Sequence, residues 1–127
     1  MAVELDASNT GILTDLSQDL PVGATRHYLN GSDNDSGTAK IMVDAPGAGK
    51  RLILTHVSMS TVINESIIIQ NGDVTLIGPI AFLAASPEPW QKDFKWGLKL
   101  TANVALKIKT SGDNQFHIYI EYIDAPS

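Results

Sequence analysis

The sequence predicts an all-β protein, and three observations carry that reading. After residue 23, apolar residues recur with period two rather than 3.6. The alternating runs are short, and clusters of Gly, Pro, Asn and Asp separate them. The one stretch with helical spacing is Leu13, Leu16 and Leu20, capped by Thr14 or Asp15 and ended by Pro21 and Gly23 after one or two turns. About eight to ten short strands joined by turns make an antiparallel β-sandwich or a barrel.

The elements follow in order. Residues 24–29 form a short strand, and Asn30-Gly-Ser-Asp-Asn-Asp-Ser-Gly37 is a polar loop built from turn residues. Residues 38–44 form a strand ended by Ala45-Pro-Gly-Ala-Gly49. Residues 50–61 alternate, with Leu52, Leu54, His56 and Ser58 on one face and Ile53, Thr55, Val57 and Met59 on the other. Residues 66–70 and 74–77 flank Asn71-Gly72, a hairpin signal because both turn residues take positive φ. Residues 80–84 follow Pro79, and residues 85–92 form a loop. Strands at 94–100, 104–110 and 115–123 complete the set. In the last, Phe116, Ile118, Ile120 and Tyr122 share a face opposite His117, Tyr119, Glu121 and Ile123. One apolar and one polar side is the pattern of an antiparallel sheet covered on one face.

At 127 residues the chain is long enough for one domain with its own core. Residues 1–23 read as an extended N-terminal arm without a strand partner, and residues 24–127 as the β-sandwich. Hydrophobic residues make up 43% of the chain, which excludes a disordered polymer. No apolar run approaches the roughly 20 residues of a membrane-spanning helix, and the first residues lack the basic and apolar regions of a signal peptide. With no cysteine, disulfides, Cys-ligated metals and thiol nucleophiles are out of reach. The net charge of −5 disfavours nonspecific binding to nucleic acid. Six acids in residues 1–39 face Arg26 alone, whereas residues 40–109 hold eight bases against five acids. That asymmetry suits either solvated loops or an acidic edge meeting a basic partner.

No motif for catalysis stands out. Pro46-Gly-Ala-Gly-Lys-Arg51 resembles a phosphate loop, but Asp44 and Arg51 occupy positions that need Gly and Ser or Thr, and a strand follows it. Asp33 and Asp35 alternate as calcium ligands do. Thr38 stands where an EF-hand needs Gly, which leaves a non-EF calcium site or a solvated Asx turn. His27, His56 and His117 fall on separate strands without local metal-ligand spacing. There is no Gly-x-Ser-x-Gly, and no carboxylate stands out on an otherwise apolar strand as a glycosidase acid. Asn30, Asn34 and Asn64 begin glycosylation-type triplets that, without a signal peptide, read as chance. Trp90 and Trp96, near Pro87, Pro89 and Phe94, either cap the core or offer rings to a sugar or a protein partner.

Residues 45–123 carry a resemblance. They run through Ala45-Pro-Gly-Ala-Gly-Lys-Arg-Leu-Ile-Leu-Thr-His-Val-Ser-Met-Ser60 and the hairpin Ile69-Gln-Asn-Gly-Asp-Val-Thr-Leu-Ile-Gly-Pro79. Trp96-Gly-Leu-Lys-Leu-Thr-Ala-Asn-Val-Ala-Leu-Lys-Ile-Lys-Thr110 and the closing strand follow. This succession resembles the jelly-roll head-decoration, or capsid cement, proteins of tailed bacteriophages. The resemblance implies a non-enzymatic virion protein without cofactor or metal, on the capsid exterior after synthesis in the host cytoplasm. It also implies a homotrimer that binds the major capsid protein, with neither nucleic acid nor membrane as partner. The arm outside the resemblance is the expected capsid contact, through Val3, Leu5, Ile12, Leu13 and Leu16. The alternative is a glycan- or receptor-binding sandwich that uses Trp90 and Trp96.

Overall fold

The computed structural model describes residues 3–4, 6–13, 20, 22–33, 39–61, 64–83, 89–111 and 116–127. Ten strands lie among them: β1 (Val3–Glu4), β2 (Asp6–Leu13), β3 (Thr25–Asp33), β4 (Lys40–Val43), β5 (Lys50–Thr61), β6 (Glu65–Asn71), β7 (Val74–Phe82), β8 (Trp90–Lys99), β9 (Leu106–Thr110) and β10 (Phe116–Pro126). They form two five-stranded sheets, ordered β1-β4-β9-β6-β7 and β2-β3-β10-β5-β8. From β3 onward the chain changes sheet at every connection except the β6–β7 hairpin. That alternation is the double Greek key of a jelly roll. The protein is therefore an all-β sandwich, as its periodicity predicts.

The core lies between the sheets. Leu52, Leu54, Val57, Met59, Phe116, Ile118 and Ile120 come from one sheet and meet Ile67, Ile69, Leu106 and Ile108 from the other, all essentially inaccessible to water. Burying each such side chain contributes about 1.5–3 kcal/mol against leaving it exposed.

Strand β5 departs from simple alternation. His56 pairs with Glu121 and Leu54 with Tyr122, so Thr55 is an extra residue that β10 does not match. Its hydroxyl donates to the Glu121 carbonyl at 3.0 Å. This β-bulge reverses the phase of the strand. Leu52 and Leu54 point into the core before it, and Val57 and Met59 after it. The expected grouping of His56 and Ser58 with Leu52 is thereby corrected. The bulge turns His56 to the outer face.

Other boundaries shift for tertiary reasons. Strand β3 runs on through Asn30-Gly-Ser-Asp, expected as loop, because it is hydrogen-bonded on both sides by β2 and β10. Ladder pairing there outweighs turn propensity. Asp33 pairs with Phe116 at the end of β3, whereas Asp35 lies outside the described residues. The runs at 74–77 and 80–84 are largely one strand, β7, with irregular register on either side of Ile69. Asn71 pairs with Val74, so the two-residue turn is Gly72-Asp73, and Gly72 supplies the positive φ of 63°. Asn71 instead clamps the β8–β9 connection. Its Nδ2 donates to Thr101 Oγ1 at 3.0 Å and its Oδ1 accepts from Thr101 N at 3.2 Å.

Part of the segment 1–23 is paired, contrary to the expectation that it has no partner. Strand β1 adds to β4 in parallel, and β2 adds to β3 antiparallel, with Thr10 opposite Leu29 and Ile12 opposite His27. Each is an edge strand, and the polar residues of β2 conceal it from a period-two reading while suiting an exposed edge. The expected short helix falls mostly at 14–19, outside the described residues, and Leu13 is the last residue of β2. The turn expected at residues 45–49 is present, and at its end Lys50 N donates to Gly47 O at 3.2 Å.

Candidate functional site

A concavity lies on the outer face of the β2-β3-β10-β5-β8 sheet. One row across that sheet runs Tyr28, Glu121, His56, Asp93. Up to this row β8 pairs regularly with β5, from Met59–Trp90 to His56–Asp93. Pairing resumes at Leu54–Leu98. One β5 residue thus faces four residues of β8, 94–97, and β8 bows away from the sheet. Gly97 makes the return: its φ is 75°, and a Cβ there would overlap Ile53 Cγ2. Only glycine satisfies both constraints at no cost.

The bow and the sheet enclose an open groove of about 570 Å³. Arg26, His56 and Glu121 line its floor, with Ile53 and Ile123 beside them, and Asp93, Phe94 and Trp96 line the wall. Arg26 Nη2 lies 3.2 Å from Glu121 Oε1, and both side chains are largely buried. His56 Nδ1 lies 2.5 Å from Asp93 Oδ1, and the carboxylate is 86% exposed. The Tyr119 ring meets His56 edge-on at 5.9 Å and stacks near Tyr28 at 6.3 Å. Burial pushes the Tyr119 hydroxyl pKa up, and the Glu121 carboxylate and Tyr28 add to that, against the opposing pull of Arg26. Tyr122, stacked on His27, is also raised, by burial and then by Asp124.

The two tryptophans have different settings. Trp90 is half-buried against the core, whereas Trp96 is 85% exposed at the crest of the bow. The Lys95 ammonium sits 5.3 Å from the Trp96 ring centroid. His27, His56 and His117 stay on separate strands, and among the described residues no three His, Asp or Glu side chains gather to hold a metal ion. Of the expected capsid-contact residues, Ile12 is 65% exposed on β2 and Leu13 is half-buried. Val3 is in β1, while Leu5 and Leu16 lie outside the described residues.

Sequence reasoning missed the polar row. Glu121 was the available signal and corrects the expectation that no carboxylate stands out on an apolar strand, because it is an acid within the largely apolar run of β10. No sequence pattern pairs it with Arg26, or His56 with Asp93, since those contacts join residues 95 and 37 positions apart.

The fold and the groove define a jelly-roll sandwich with a mixed polar and aromatic depression on one outer face. No family model and no curated protein matches the chain. Among solved structures it is similar to the capsular polysaccharide assembling protein CapF from Staphylococcus aureus, with 10% identity and a TM-score of 0.27. The similarity covers 91% of this chain and 30% of the CapF chain.

Proposed function

We propose that this chain is a structural protein of a tailed-bacteriophage virion, a head-decoration protein that binds the capsid exterior as a symmetric oligomer, specifically a trimer. The observation that carries this reading is the β7 edge. Strand β7 is the outermost strand of its sheet, and its nine residues include no charge. Val74 is 67% exposed, and Leu83, just past its end, is 60% exposed. Leu76, Ile77 and Ile80 are half-buried along the same strand.

Monomeric proteins guard such edges with charge, since an apolar edge attracts other chains. Here only Pro79 and the register shifts interrupt the ladder, which disfavours open-ended strand addition. Side-chain packing against a symmetric copy covers the edge and closes the assembly. Three copies then present three equivalent contacts to the shell, so weak individual contacts become strong together. In this reading the exposed edge of β2, with Ile12, meets the major capsid protein, and the protein carries out no chemistry.

Native mass spectrometry at micromolar concentration, followed by cosedimentation with undecorated capsids, tests the proposal. The expected result is a trimer that binds the capsids, with Val74→Asp and Leu83→Asp giving folded monomers. A monomeric wild-type chain that leaves capsids bare would overturn it.

A further inference from the structure

We propose that the groove between the bow of β8 and the outer sheet face is a binding site for a neutral saccharide. Its volume of about 570 Å³ falls within the range of small-ligand sites. An indole as exposed as that of Trp96 is unusual for a residue that packing normally buries. The Gly97 turn keeps it at the crest, beside the polar floor. A flat aromatic face next to paired planar polar groups is what a pyranose ring requires. Its C–H face packs on the ring, while its hydroxyls each donate one hydrogen bond and accept others.

The polar groups supply both halves of that exchange. Arg26, paired with Glu121, brings a donor group to the floor, and the exposed Asp93 carboxylate, whose Oδ1 holds His56, has its second oxygen to accept. Neighbouring sugar hydroxyls can therefore bridge a donor and an acceptor. The charge balance selects against anions. Arg26 and Lys95 are offset by Asp93 and Glu121, so the groove has no excess positive charge for phosphate, sulfate or an acidic sugar. Ile53, Phe94 and Ile123 offer apolar surface for the remaining C–H groups. The site is on the opposite sheet from β7, so it stands or falls independently of the assembly proposed above.

The test is a heteronuclear NMR titration of the full-length chain, following the Trp96 indole N–H. The probes are neutral trisaccharides of glucose, galactose, mannose and N-acetylglucosamine, with a sulfated trisaccharide and inorganic phosphate as anionic controls. At least one neutral sugar should shift Trp96 and residues 93–97 saturably at millimolar concentration. Trp96→Ala should weaken that binding about tenfold, and Asp93→Asn should weaken it as well. Both positions are exposed, so circular dichroism should show an unchanged fold, and Trp90→Phe should bind like the wild type. The proposal is overturned if no neutral sugar moves Trp96, if only the anions do, or if Trp96→Ala binds unchanged.

Discussion

His56 and Asp93 face each other on the last regular rung between β5 and β8, with Nδ1 donating to Oδ1 at 2.5 Å. Immediately beyond this rung β8 leaves the sheet for four residues. The pair therefore marks one end of the groove, and the Gly97 turn marks the other.

The His56–Asp93 contact should matter more for the shape of the bow than for global stability. Asp93 is mostly solvated, and such exposed side-chain contacts contribute about 0.2–1 kcal/mol. Asp93→Ala should lower the urea midpoint only slightly. Amide exchange should quicken at residues 93–97 and stay unchanged in β10.

Gly97 should tolerate no side chain. A left-handed conformation costs a non-glycine residue about 1–3 kcal/mol, and the overlap with Ile53 adds to that. Gly97→Ala should lower stability by at least about 2 kcal/mol in urea unfolding. Trp96→Ala next to it should stay within about 0.5 kcal/mol.

Removing Thr55 should be tolerated, because it is the residue that β10 leaves unmatched. Without it β5 alternates regularly, with Leu52, Leu54, Val57 and Met59 all still on the core face. The deletion should keep a cooperative melt, whereas deleting Ser58, which sends Val57 or Met59 outward, should cost more than about 4 kcal/mol. Thr55→Val keeps the residue count and loses one hydrogen bond, so it should cost only about 1 kcal/mol.

Tyr119 and Tyr122 predict alkaline sensitivity. Both hydroxyls titrate above the ordinary value of 10.0 in the folded chain. The unfolded chain therefore loses these protons first as pH rises, and it binds fewer protons than the native state. Their contribution to stability is complete below pH 10.0 and is lost as pH climbs through the folded values. Melting curves should drop across that window. Glu121→Gln should bring the Tyr119 phenolate band to lower pH, because Glu121 is the second cause of its shift.

The N-terminal strands give a pair of contrasting expectations. Deleting residues 2–20 takes β1 and β2 away and bares the edges of β4 and β3, so the truncated chain should aggregate. Ile12→Asp changes a mostly exposed side chain and should leave the melt intact. If β2 is the capsid contact, the same variant should cosediment less with capsids.

Much of the fold was legible in the residue pattern, and the exceptions have identifiable causes. The alternation of Phe116, Ile118 and Ile120, and of Leu106 and Ile108, marks buried faces that the structure reproduces. The span of β5 matches the alternating run at 50–61 residue for residue. Its facing does not, because one bulged residue reverses the phase, and a bulge depends on what the neighbouring strand offers. Strand β2 escaped notice because edge strands need little apolar patterning.

Local chemistry settles what is local. Period-two apolar spacing commits these residues to strands, and the Asn-Gly region commits the chain to a hairpin, since both preferences act within a few residues. Partner choice is different. The crossing order of the sheets, the bow at 94–97, and the meeting of Arg26 with Glu121 and His56 with Asp93 arise only when distant strands pack. Register is set by which apolar sets must share one core. That requirement involves the whole sandwich at once, and no short stretch of sequence contains it.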